Sequence, residues 1–147
     1  MKALLAILLL LVSTTTADAG RQHIRYTEKQ VQCLATNIYH EARGEGYLGG
    51  LAVAVVTINR TQHIDYPRDI CAVVYQRKQF SWTNSGKVKP TVSAASVYLA
   101  RLALSGRHEL RGLQATHYHT KAVHPRWRLQ LKRVASIGQH IFYRQHT

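Results

Sequence analysis

The chain has 147 residues, a formal net charge of +13 from 20 Lys and Arg against seven Asp and Glu, and two cysteines. That length suits one domain with a real core. Basic residues are spread through the chain rather than gathered in one arm, and no zinc-finger spacing or RNP-like aromatic motif appears. The recognised nucleic-acid modules are therefore excluded despite the charge.

Met1-Lys2 leads into an apolar run, Ala3 to Val12, and then into small and polar residues ending Ala17-Asp18-Ala19. A basic start, an apolar stretch too short to span a bilayer and an A-x-A site predict a secretory signal over 1–19. Cleavage leaves residues 20–147 as the mature domain, with no stable membrane span. The competing reading is an uncleaved N-terminal anchor. Lys2 and Asp18 leave together, so the charge survives cleavage. Export implies the periplasm or cell envelope. There a strongly basic domain concentrates near polyanions, and anionic envelope polymers, not nucleic acid, are the expected partners.

Thr27 followed by Gln30 reads as a capping box opening a helix that runs to Arg43. Val31, Leu34, Ala35, Ile38 and Ala42 recur on its core-facing side. Glu41 falls at the margin of that stripe. Partial burial disfavours its charged form, which raises its pKa toward the range a general acid needs. Gly44 can take the left-handed conformation that ends the helix. Gly46 and Gly49-Gly50 are expected to leave room for a ligand.

Leu48 to Arg60 is the most apolar segment of the mature chain. Its β-branched content argues for a strand and its length for a buried helix; the helix is preferred. Tyr66-Pro67-Arg68-Asp69 is a break, with Asp69 capping a short helix through Tyr75. Gln79 to Gly86 reads as a loop with two large aromatics. Phe80 and Trp82 can pack on the C–H faces of sugar rings, or can simply plug the core. Pro90-Thr91 opens a helix over about Val92 to Ser105, ended by Gly106.

The pattern then changes. Ala115 to His119 alternates and reads as a strand, His124 to Trp127 as a loop, and 131–137 and 139–144 as two more strands around Gly138. Helices first and a small antiparallel sheet near the C-terminus make an α+β single domain. No internal repeat is present. Cys33 and Cys71, an even pair in an exported chain, suggest one disulfide. Catalytic or metal-binding thiols are the alternative, but C-x-x-C spacing is lacking.

Site chemistry is limited by a scarcity of carboxylates. Glu28, Asp69, Asp65 and Glu109 have structural or loop settings, which leaves Glu41 and Glu45 in a stretch that looks like a site. Two glycosidase carboxylates must flank the scissile bond, and a pair from one turn would struggle to do so. Nine histidines raise the question of metal. His40-Glu41 does not complete H-E-x-x-H, because position 44 is Gly. His117, His119 and His124 could form a three-ligand zinc site with an open position, as a zinc amidase would need. The other reading is histidines that hydrogen-bond substrate or backbone. No G-x-S-x-G element is present. No cofactor is expected.

Cys33-Leu34-Ala35, Asn37-Ile38-Tyr39, the run Glu41-Ala42-Arg43-Gly44-Glu45, and Gly50 to Ala54 with Asn59-Arg60 resemble the cell wall hydrolase family typified by the spore-cortex-lytic enzyme SleB. Tyr66-Pro67, Cys71 to Gln76, Gln79-Phe80-Ser81-Trp82, Ala115 to His119, Pro125 with Trp127, and Ile137-Gly138 with His140 to Tyr143 extend the likeness over nearly the whole mature chain. The resemblance implies a compact lysozyme-like catalytic domain that cuts peptidoglycan glycan strands as a lytic transglycosylase or muramidase. By position it makes Glu41 the catalytic acid and base. On the transglycosylase reading, Glu45 is expected to bond backbone amides of the motif turn or to steady the sugar. Tyr118 and His119 would hydrogen-bond the N-acetyl group or developing charge, and Phe80, Ser81 and Trp82 would line the sugar groove. His40 departs from the family pattern, and a protonated imidazole there would lower the Glu41 pKa. A zinc-dependent amidase and a non-catalytic envelope-binding protein are the alternatives.

Overall fold

The computed structural model describes residues 26–83 and 91–146. The predicted signal, the end of the 79–86 loop and Pro90 lie outside the described residues. The elements run in the expected order: α1 (Glu28–Ala42), α2 (Gly46–Gln62), α3 (Ile70–Val74), a 3-10 turn at Ser81–Thr83, α4 (Ala94–Ser105), β1 (His117–Thr120), a second 3-10 segment at Arg126–Gln130, β2 (Lys132–Ile137) and β3 (His140–Arg144). Among the described residues no helix is long and apolar enough to cross a membrane.

Local signals fix most of the boundaries. The Gln30 amide donates to Thr27 Oγ1 at 3.2 Å and the Thr27 amide donates to Gln30 Oε1 at 2.9 Å, which is the reciprocal capping box. Asp69 caps α3 through the Ala72 amide. α4 starts two residues later than expected, because Ser93 and Ser96 form a second capping box there. The segment that read as either strand or helix is α2. Leu51, Ala52, Val53, Ala54 and Val56 are all fully buried along it. A helix satisfies its own backbone polar groups wherever it is buried, and surrounding packing overrides the β preference of its valines.

Close packing corrects the reading of Gly49 and adds a second role for Gly50. A Cβ on Gly50 would approach Leu99 Cδ1 to 2.6 Å, and one on Gly49 would strike the Glu45 side chain. These glycines let α2 approach α4 and the motif turn, and Gly50, with Gly46, also borders an apolar cavity. Asn37 donates to Thr57 Oγ1 at 3.0 Å across the buried α1–α2 contact. The Cys33–Cys71 disulfide joins α1 to α3 over 38 residues.

The sheet has order β1-β3-β2, antiparallel throughout, with Tyr118 opposite Phe142 and an irregularity between Arg133 and Ala135. Phe142 packs with Ala52, Val56 and Ala115, which docks one face of the sheet on α2. The far end of α2 fastens the entry to β1. Asn59 donates to the Leu113 and Ala115 carbonyls at 2.6 and 2.9 Å, and Arg60 Nε donates to the Thr116 carbonyl at 2.8 Å. Asn59-Arg60 is thus the polar end of the helix, as expected, but Arg60 is buried.

Candidate active site

Glu41 occupies the last turn of α1, and Gly44, with φ of 94°, redirects the chain just beyond it. The residue is neither fully buried nor exposed. Its Oε2 accepts a 2.9 Å hydrogen bond from the Tyr118 hydroxyl. Burial raises the Glu41 pKa above the ordinary carboxylate value. The Tyr118 hydrogen bond, the Arg60 charge and the Trp82 indole N–H pull it down without cancelling that rise. Two donors and one nearby cation therefore stabilise the carboxylate when it forms, while the dry setting favours the acid. This is the sequence expectation for Glu41, with the cause now visible.

Tyr118 is held as a donor. Burial first, and the neighbouring Glu41 second, push its phenol well above the usual tyrosine range, so it stays protonated. Its ring is fixed edge-on to His140 at 5.1 Å and against Phe142 at 5.6 Å. His140 is itself buried, and burial lowers its pKa even with Glu45 nearby. Glu45 Oε2 lies 3.8 Å from His140 Nδ1 and accepts the Gln139 amide at 2.7 Å. Glu45 therefore bonds a backbone amide, but that of the β2–β3 turn rather than its own. Gly138, with φ of 55°, permits this, since a Cβ there would collide with Glu45 Oε2.

The aromatic loop forms a layered wall. Trp82 stacks on His40 at 4.4 Å with 17° between planes, and on Phe80 behind it at 6.2 Å. Phe80 is only 4% exposed, with the Arg60 guanidinium over its ring at 5.3 Å. It supports Trp82 and Arg60 from beneath and cannot offer a face to a sugar, which corrects that expectation. Ser81 is exposed and Trp82 partly so. His40 also differs from its expected effect. Burial and the Arg43 charge lower its pKa, so it is neutral near pH 7 and acts by stacking on Trp82. The cation that lowers Glu41 is Arg60.

His119 does not reach Glu41. Neighbouring side chains on a strand point to opposite faces. Tyr118 meets Glu41 on one face, while His119 stacks on Tyr143 and meets Trp127 on the other. Its ring nitrogens lie 2.9 Å from the Tyr143 hydroxyl and 2.8 Å from the Thr120 carbonyl. His117 shares that outer face, with its nitrogens near Thr116 Oγ1 and the Tyr66 hydroxyl. Among the described residues no three His, Cys, Asp or Glu side chains gather as a metal site, so His117, His119 and His124 do not converge. An apolar cavity of about 450 Å³ lies around the other side of the α1 end, lined by Tyr39, Ala42, Tyr47, Tyr98 and Leu99; Glu41 does not line it.

Two site residues escape the sequence reading: Arg60 and His140. Arg60 carries a faint signal, a lone cation closing the most apolar segment. His140 carries only its place in a stretch that resembles the family, with no role attached to it.

Residues 44–143 match the family model described as Cell Wall Hydrolase. The match begins three residues after Glu41. The spore cortex-lytic enzyme of Bacillus cereus is 26% identical over 117 residues, and that of Halalkalibacterium halodurans 30% identical over 118 residues. Each alignment covers 80% of this chain but only 45% and 35%, respectively, of the relative, so the chain spans less than half the length of these enzymes. The catalytic domain of the germination-specific lytic transglycosylase SleB from Bacillus anthracis superposes with a TM-score of 0.72 at 27% identity, covering 81% of this chain and 97% of that one.

Proposed function

The chain belongs to the cell wall hydrolase family, and on that premise we propose that it cuts peptidoglycan glycan strands as a lytic transglycosylase with Glu41 as its single acid and base. The observation that carries this is the Glu41 environment: a carboxyl with a pKa raised by burial, still in contact with solvent, facing the donors Tyr118 and Trp82 and the charge of Arg60. The description of the B. anthracis domain as a lytic transglycosylase supports the choice of reaction.

In the first step Glu41 gives its proton to the glycosidic oxygen between muramic acid and glucosamine, and the C1–O bond breaks. In the second the Glu41 carboxylate takes the proton of the muramic C6 hydroxyl, whose oxygen bonds to C1 as the 1,6-anhydro ring closes. The nucleophile belongs to the substrate, so one carboxyl suffices and proximity is built in. Tyr118 donates to the carboxylate between the two transfers. Glu45 and His140 position the hairpin and the Tyr118 ring, and Trp82 with Ser81 is the part of the aromatic loop that can meet a sugar. Residues 1–19 act as the export signal, 20–147 as the catalytic domain, and the net charge draws it to anionic envelope polymers in the periplasm or cell envelope.

The test is mass spectrometry of purified peptidoglycan digested by the parent chain and by Glu41→Gln. Anhydro-ended fragments from the parent and none from the variant are expected. Reducing-end sugars would mean hydrolysis, and freed stem peptides would mean amidase action; either overturns the transglycosylase reading. A Glu41→Gln variant as active as the parent would overturn the role of Glu41.

A further inference from the structure

The last 38 residues, Leu110 to Thr147, contain seven Lys and Arg and no Asp or Glu. The carboxylates that reach this lobe are engaged: Glu45 holds the Gln139 amide, Asp65 accepts from Gln145 and faces His63, and Glu41 meets Tyr118 on the inner face. Among the described residues Arg101 is the one Lys or Arg paired with a carboxylate, and it lies elsewhere, on α4. Lys121, Arg126 and Arg133 are exposed and Arg128 is half-buried, while the exposed Lys132, paired with Arg144, lies on the Phe142 face of its strand.

Apolar tips interleave with these cations. Val123 falls between Lys121 and Arg126 and is 52% exposed. Leu129 falls between Arg128 and Lys132 and is 75% exposed. Val134, at the irregularity beside Arg133, is 36% exposed. The segment carrying them is fixed. Trp127 packs against His117, His119 and Tyr143 at 5.4–5.6 Å, which clamps the Arg126–Gln130 segment on the outer face of the sheet.

We propose that this outer face, from Lys121 to Val134, is a docking surface for an anionic lipid layer. Cations alone would suit any polyanion. Exposed Leu and Val side chains gain only where an apolar phase accepts them, and headgroup charge above acyl chains supplies both at once. Docking this way leaves the opposite side of the sheet, where Tyr118 meets Glu41, free to take a glycan strand. The inference does not require Glu41 to be catalytic.

The test is co-sedimentation of the full chain and its variants, all sharing one N-terminus, with vesicles of phosphatidylcholine containing about one third phosphatidylglycerol. Removing Arg126 and Arg133 as the double variant R126Q/R133Q should weaken partitioning about twenty-five-fold, at about fivefold per cation. Leu129→Gln, at constant charge, should weaken it roughly tenfold or more. The control R68Q/R77Q loses the same net charge from other exposed sites and should change little. Unchanged thermal melting and unchanged fragment release from lipid-free peptidoglycan show that the variants are folded. Equal losses in both double variants would mean net charge acts without a dedicated surface. Binding insensitive to Leu129→Gln but competed away by inorganic polyphosphate would mean a polymer site. Either result overturns the proposal, and neither touches the assignment of Glu41.

Discussion

Replacing Tyr118 by Phe removes one hydroxyl and leaves the ring between His140 and Phe142. The lost interaction is the 2.9 Å hydrogen bond to Glu41 Oε2. A hydrogen bond to a charged group contributes about 1.5–3 kcal/mol. At about 1.4 kcal/mol per pKa unit, its loss raises the Glu41 pKa by roughly one to two units. The sign is upward because the phenol stabilises the carboxylate more than the acid. Burial has already raised this pKa, and the variant loses part of the opposing pull. The assay is the pH dependence of fragment release from purified peptidoglycan. The alkaline limb, where Glu41 loses the proton it must donate, should move up by one to two units. The maximal rate should fall, because the carboxylate that collects the C6 proton is formed at greater cost. An alkaline limb that stays in place or moves down, in a variant with parental melting behaviour, would refute Glu41 as the titrating acid.

Glu41→Gln should stabilise the fold in a pH-dependent way. A carboxyl whose folded pKa is raised binds more protons folded than unfolded, so the native protein loses stability as pH rises from the ordinary Glu value through the raised one. The melting temperature of the variant should exceed that of the parent above this window and match it below; a constant offset across pH would count against a buried, perturbed acid. Reducing the Cys33–Cys71 bond, or Cys71→Ser with Cys33→Ser, should cost about 4 kcal/mol for a loop spanning 38 residues. For a domain of this size that lowers Tm by roughly 10–20 °C, readable by differential scanning calorimetry with and without reductant. Gly138→Ala should cost about 1–3 kcal/mol from left-handed strain alone. It should also displace Glu45 from the Gln139 amide, so that turnover falls together with stability. A Gly138→Ala protein with parental melting and turnover would show that the Glu45 tie is dispensable.

The sequence carried whatever local chemistry decides. Thr27 with Gln30 starts α1, Asp69 starts α3, Gly44 and Gly106 turn the chain, and alternation from Ala115 and around Gly138 marks the strands, because caps, glycines and side-chain periods act within a few residues. It also placed Glu41 at the edge of an apolar stripe, which is enough to predict the direction of its pKa shift. Its closest acidic neighbour was legible as a motif residue but not as the holder of a hairpin, since Glu45 finds Gln139 across 94 positions. Tyr118 meets Glu41 across 77. Period two says that Tyr118 and His119 face opposite ways; it does not say which of them faces the acid. Composition likewise could not tell that Phe80 lies beneath Trp82, that Arg60 rather than His40 is the cation acting on the carboxyl, or that a valine-rich segment is a central helix. Those outcomes depend on which surfaces are pressed together when the apolar faces of α1, α2 and the sheet are buried against one another, and burial of that kind is a property of the assembled tertiary structure.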